Sequence, residues 1–265
     1  NSKIENYKTE QISKDTIRIS FDYPPNQEEE WNITFDDGVT SFNIDPTISA
    51  CSVITAPGVY TLDTPINSVI AGGWCMNITV SDVLLDCGGA NNWIRGNHLG
   101  VGIGINGSAT SKYTNDSMKN CNVSDWSTGV YYFNTQNSTI DNSSSNSNAA
   151  DGILFETSCT NNIVTNTTFF QNTRYGTYIY STSNNNSLIN VNASSNRYGV
   201  YITESAENRI LNSNLSENSE LDFHMAAASD SLCNNNITNT MGSKGYPIEY
   251  YNYTATIQNK VLSEL

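Results

Sequence analysis

The chain has 265 residues and a formal net charge of −14, yet only 14% of its residues are charged; its polarity comes from 39 Asn, 32 Ser and 27 Thr. The acidic balance argues against nucleic acid or an anionic membrane as partner, and no apolar run approaches the ~20 residues of a membrane helix. Disorder is excluded by regularly spaced Ile, Val, Leu and Phe together with 15 tyrosines, which supply a core.

In chain order, residues 16–23 alternate as a strand and 24–30 form a loop, so residues 1–45 are assigned to an N-terminal extension or cap. Residues 51–66 form a first coil. Ile78, Val80, Val83 and Leu85 alternate next, and Gly102 to Ile105 supply another glycine strand before a polar insertion over 106–117. From there a period runs through Met118-x-Asn120, Ile140-x-Asn142, Val164-x-Asn166, Leu188-x-Asn190, Ile210-x-Asn212 and Leu232-x-Asn234, with steps of 22, 24, 24, 22 and 22. A glycine follows in each copy at Gly129, Gly152, Gly176, Gly199 and Gly245, with Asp222 in its place once, and then inward residues two apart such as Ile153/Phe155 and Val200/Ile202. The alternation returns over 253–262, giving a C-terminal strand or cap at 253–265 and a central domain at 46–252.

Inward residues two apart mean short strands, and 22 to 24 residues are too few for a βαβ crossover. Leucine-rich repeats need leucines that are missing. The pattern therefore predicts an all-β solenoid in which each strand pairs in parallel with its copy one coil away, Asn residues stack in a ladder, and Gly turns the corner with positive φ. Cys51, Ile54, Gly58, Tyr60 and Leu62, residues 77–89 and the Asn…Gly-Ile/Val-x-Ile coils resemble the single-stranded right-handed parallel β-helix of pectin-lyase-like proteins. The nearest type is the NosD-like repeat of surface and sheath proteins of methanogenic archaea. That resemblance implies a fold shared by lyases, hydrolases, epimerases, adhesins and structural proteins, so function must come from the residues.

The enzymes of that fold imply clustered aspartates with a histidine, or an acidic calcium cluster with a basic residue. Asp125, Asp141, Asp151, Glu156, Glu204 and Asp222 are read as outward but at different registers, and Asp222 with His224 is the best local pair. No catalytic or metal residue is assigned, and no cofactor is expected beyond structural calcium at an unlocated carboxylate site. The outward column is more informative. Tyr131, Tyr178 and Tyr201 recur two after the glycine, and Tyr175 and Tyr198 just before it. Tyrosine suits strands, and such a ladder also suits docking of another subunit or stacking on sugar rings.

Cys51 with Cys75, one coil apart, and Cys87 with Cys121 are candidate disulfides; Cys159 and Cys233, about three coils apart, exceed disulfide reach and are candidates for bridges between copies or remain free thiols. Thirteen Asn-x-Ser/Thr sequons occur against about nine by chance. Asn32, Asn106, Asn115, Asn137, Asn185 and Asn252 are the better acceptors, because Asn142 and Asn166 lie in the ladder. No leader opens the chain, so residue 1 is expected to follow a processing site. Together these features point to an extracellular structural protein that polymerises with copies of itself into a sheath, surface layer or filament. A glycan-binding adhesin is the alternative, and a polysaccharide lyase or hydrolase the weaker one.

Overall fold

The computed structural model describes residues 46–69, 72–108, 110–254, 258 and 260–263, and the backbone of 7–13 and 16–21. It is a parallel β-solenoid of about eight turns, as the period predicts, and of the right-handed β-helix type that the resemblance implies. Among the described residues three parallel sheets, of eight, nine and six strands, run along it, each strand pairing with the equivalent strand of the next coil. Tyr7–Ser13 and Thr16–Phe21 form an antiparallel hairpin apart from these sheets. The loop expected at 24–30 lies outside the described residues, as does part of the C-terminal strand; 253–254, 258 and 260–263 are not in strand.

Register sets the core. In the eight-stranded sheet Ile78, Ile105, Tyr132, Phe155, Ile179, Ile202 and Met225 stand in one inward column. In the six-stranded sheet Phe169 stands between Ser145 and Ala193, so one large ring fills the space its small neighbours leave. Trp126 is fully buried and donates from Nε1 to Ile94 O at 3.0 Å.

The corners differ from the expectation. Gly129, Gly152, Gly176 and Gly199 do not have positive φ; asparagines take that role, including Asn120, Asn142, Asn166, Asn190, Asn212 and Asn239, with φ between 44° and 57°. Asparagine reaches this left-handed region more readily than other side-chain-bearing residues, and among the described residues 11 of the 39 asparagines take it. The repeated glycines sit inside strands, where the next coil passes too close for a Cβ. The last coil also shifts. Its strand is Asn236–Thr238, pairing Ile237 with Ile210, so the closing phrase is Ile237-x-Asn239, 27 residues on, and Leu232 belongs to an inserted 3-10 turn, Asp230–Cys233. Gly245 lies in a second short turn rather than a glycine strand.

Two further asparagine ladders are buried, apart from the half-buried Asn218 at the end of the first. One runs Asn148, Asn172, Asn196, Asn218, and the other Asn162, Asn186, Asn208, Asn235. In each, a side-chain Oδ1 accepts the backbone N–H one coil back, supplying the acceptor that buried turn backbone needs. The exposed ladder links side chains alone, as in Asn142 Nδ2 to Asn120 Oδ1 at 2.7 Å and Asn190 Nδ2 to Asn166 Oδ1 at 2.7 Å.

Candidate interaction face

The outward side of the eight-stranded sheet carries one column, Gly104, Tyr131, Leu154, Tyr178, Tyr201 and His224, in register across successive coils. Tyr175 and Tyr198 pair in the flanking column. Strands at ~4.8 Å bring these rings into mutual contact. Tyr175 lies 4.7 Å from both Tyr178 and Tyr201, Tyr198 lies 5.1 Å from Tyr201, and His224 lies 4.6 Å from Tyr201, all between centroids. Tyr180 stacks on Tyr178 at 5.5 Å and is exposed. A second group begins at Trp74, whose ring occupies the space over Gly104 and meets Tyr131 edge-on at 5.1 Å.

Charges around the face are paired. Arg174 clamps the Asp151 carboxylate with two bonds, 3.1 Å from Nε and 2.6 Å from Nη2, and its guanidinium lies over Tyr175. Arg197 does the same over Tyr198 while binding Glu220 at 2.7 Å, and Tyr198 donates its hydroxyl to Glu220. The Arg197 bond holds the Glu220 carboxyl below its ordinary value, and the Glu220 bond pushes the Tyr198 phenol up. Burial, then the bond to Glu156 at 2.7 Å, raises Tyr131 as well. These shifts move the phenols away from proton abstraction at neutral pH and Glu220 away from proton donation.

The carboxylates read as outward divide. Asp151 and Asp222 are buried, at 0% and 2% exposure, correcting that expectation. Asp222 takes the place of the coil glycine, accepts Asn218 Nδ2 at 3.0 Å and Ser243 N at 2.6 Å, and so terminates a ladder instead of pairing with His224. Asp125 holds Arg95 at 2.7 Å, Asp141 accepts from Asn166 Nδ2, and Glu204 occupies a corner with φ 49°.

Cys51 is bonded to Cys75 and Cys87 to Cys121, with Cα atoms 4.3 and 4.8 Å apart. Cys159 is fully buried, which corrects its assignment to a bridge between copies. It occupies a column of small polar residues, with its N–H donating to Ser183 Oγ at 3.3 Å and its thiol to Tyr132 O at 3.2 Å. Burial also pushes the thiol up. Cys233 is part-exposed at the inserted turn. Iodoacetamide on the folded protein is therefore expected to modify one thiol, Cys233, and to reach Cys159 only after unfolding, as peptide mass mapping would show. Among the sequon residues, Asn115, Asn137, Asn185 and Asn252 are exposed and Asn106 is part-exposed; Asn32 lies outside the described residues. Asn115 and Asn252 donate to Asp82 and Asn234.

Stacked coils, internal asparagine ladders and a tyrosine-covered sheet define a parallel β-helix protein with an aromatic face. Residues 63–263 match the family model described as "Periplasmic copper-binding protein (NosD)". The chain belongs to the NosD family. No curated protein matches. Similar solved structures include ORF18 of Geobacillus virus E2, with TM-score 0.45, 12% identity and coverage of 63% of this chain and 41% of that one. The enzymatically active domain of tailspike protein 2 of bacteriophage CBA120 gives 0.41, 13%, 72% and 37%. The A-module of Azotobacter vinelandii mannuronan C-5 epimerase AlgE6 gives 0.38, 11%, 70% and 75%. The chain thus spans about two fifths of the two viral chains.

The copper in the family's description does not fit these donors. Copper favours converging imidazole, thiolate and thioether groups. His98 contacts Asp125, whereas His224 lies in the tyrosine patch five strands further along; Met76 and Met118 are core residues, and four of six cysteines are in disulfides. Among the described residues no three of His, Cys, Asp and Glu gather around one point.

Proposed function

We propose that this protein is a non-catalytic scaffold of the cell exterior whose copies associate side by side through the tyrosine face, building a sheath, surface layer or filament. The carrying observation is the unbroken patch of Tyr175, Tyr178, Tyr180, Tyr198, Tyr201 and His224 on one sheet. The patch covers three adjacent strands, and an interface of the ~800 Å² that each partner gives a stable complex extends from it over the neighbouring strands that carry Leu154, Tyr131 and Trp74. Local pairing of Asp151 with Arg174 and Glu220 with Arg197 means that the net charge of −14 does not concentrate there to oppose approach. The C-terminal end is partly covered, with Tyr250 against Phe223 and Ile248 bonded to Thr240, which favours lateral contact over end-to-end stacking. Two disulfides and the word "periplasmic" in the family's description support a location outside the cytoplasm; among the described residues no helix is long and apolar enough to cross a membrane.

A glycan is the second reading, favoured by the guanidinium groups of Arg174 and Arg197 beside the rings, which add hydrogen-bond donors to a stacking surface. Sedimentation velocity separates the two. Wild type is expected to show concentration-dependent large species, and the triple variant Y175S/Y198S/Y201S to sediment as a monomer with Tm lowered by no more than roughly 5 °C. A monodisperse wild type retarded on immobilised polysaccharide would favour the glycan, and a monomer without retention would reject both.

A further inference from the structure

We propose that Asp116 is a proton-operated latch, a carboxylic acid standing in a buried asparagine ladder that holds two coils together fully only while it keeps its proton. The column just before the strands of the nine-stranded sheet runs Asp116, Ser138, Asn162, Asn186, Asn208 and Asn235. Each member after Asp116 accepts a backbone N–H from the coil before, as in Ser138 N to Asn162 Oδ1 at 2.9 Å and Asn162 N to Asn186 Oδ1 at 3.0 Å. The amides then spend Nδ2 on a carbonyl, Asn162 on Thr135 O at 3.3 Å and Asn186 on Cys159 O at 2.9 Å. Asp116 performs the first half: Oδ1 accepts Val83 N at 3.0 Å, and its own N–H donates to Ser138 Oγ at 3.2 Å. It lacks the second, because Oδ2 stands where a ladder asparagine carries Nδ2, is buried, and meets no partner. Ionised, that oxygen is an uncompensated charge in the interior; protonated, the acid carries the same donor as an amide.

One charged neighbour reinforces the neutral form: Asp82, in the turn before Val83, brings a like charge. The buried Tyr132 phenol, with no hydrogen-bond partner, is itself pushed up by burial and then by Asp116 and the Cys159 thiol. Burial pushes the Asp116 carboxyl up to about 7, Asp82 adds to this, and the Val83 N–H opposes it. The folded value thus lies above the ordinary one of 3.8, so the contribution to stability is full below pH ~4 and is lost as pH rises through about 7. The latch lies next to the pairing of Tyr113–Thr114 with Thr135–Gln136, and ionisation weakens that junction first.

Asp116→Asn supplies the missing donor at the same shape. Melts of the full chain are expected to coincide for wild type and variant near pH 4, and at pH 8 the variant should melt roughly 5–10 °C higher. Asp82→Asn should move the wild-type inflection to lower pH, and the Asp116 carboxyl 13C resonance of wild type should titrate near neutrality. Parallel Tm–pH curves for wild type and Asp116→Asn, or a carboxyl midpoint below pH ~5, would overturn the proposal.

Discussion

Gly152→Ala is expected to destabilise the solenoid by about 3–5 kcal/mol and to lower its Tm by roughly 10 °C, although it adds one methyl group. A Cβ on Gly152 would lie 2.5 Å from Gly176 O, 2.8 Å from Asn172 Nδ2 and 3.0 Å from Phe169 Cδ1. The carbonyl and the amide both belong to the next coil, whose distance is fixed by strand pairing on three sides, so the coil cannot move away locally. Asp222 supports this account. It takes the same register position in the eighth strand of that sheet, with no further strand paired beyond it among the described residues. Asn142→Gly serves as the control, since its φ of 44° is available to glycine and its side chain is exposed; a cost within about 1 kcal/mol is expected. Thermal circular dichroism on both variants decides the matter, and a Gly152→Ala melt matching wild type would refute the steric explanation.

The same glycine shows how far the sequence could be read. Its recurrence every 22 to 24 residues was visible, because each inward position of a parallel coil repeats with the coil. Its cause was not, since a close approach between coils leaves the same mark as a left-handed turn. The final coil was misplaced for a related reason. Leu232-x-Asn234 and Ile237-x-Asn239 both fit the phrase, and only the inserted turn at Asp230–Cys233 selects the second. The tyrosine columns followed from register, whereas the arginine clamps on Asp151 and Glu220 depend on residues just outside the repeat phrase. Cys159 was a candidate for a bridge between copies because no partner lay within reach, but its column is set by Thr135, Ser183 and Ser205, which are small, polar and buried.

Asn172→Ala should cost about as much as the glycine change, roughly 3–5 kcal/mol, for an electrostatic reason. Asn172 Oδ1 accepts Asn148 N at 3.1 Å and Asn148 Nδ2 at 2.8 Å, while its own Nδ2 donates to Ser145 O at 3.1 Å and Asn196 Oδ1 at 3.0 Å. Alanine therefore strands the Asn148 N–H in the interior, costing ~1–3 kcal/mol, leaves the Asn148 amide with Ser145 Oγ alone, and opens a small cavity beside Phe169. Asn190→Gly in the exposed ladder loses one comparable bond, to Asn166 Oδ1, but water replaces it and glycine keeps the φ of 54°, so the expected cost is below ~1 kcal/mol. Urea unfolding of both variants tests the ranking, and the double variant Asn148→Ala/Asn172→Ala tests the cause. Removing the Asn148 amide along with its acceptor leaves only the residue-148 N–H stranded, so the double variant should be less costly than the sum of the single changes. Simple additivity would mean that the buried ladder stabilises by packing alone.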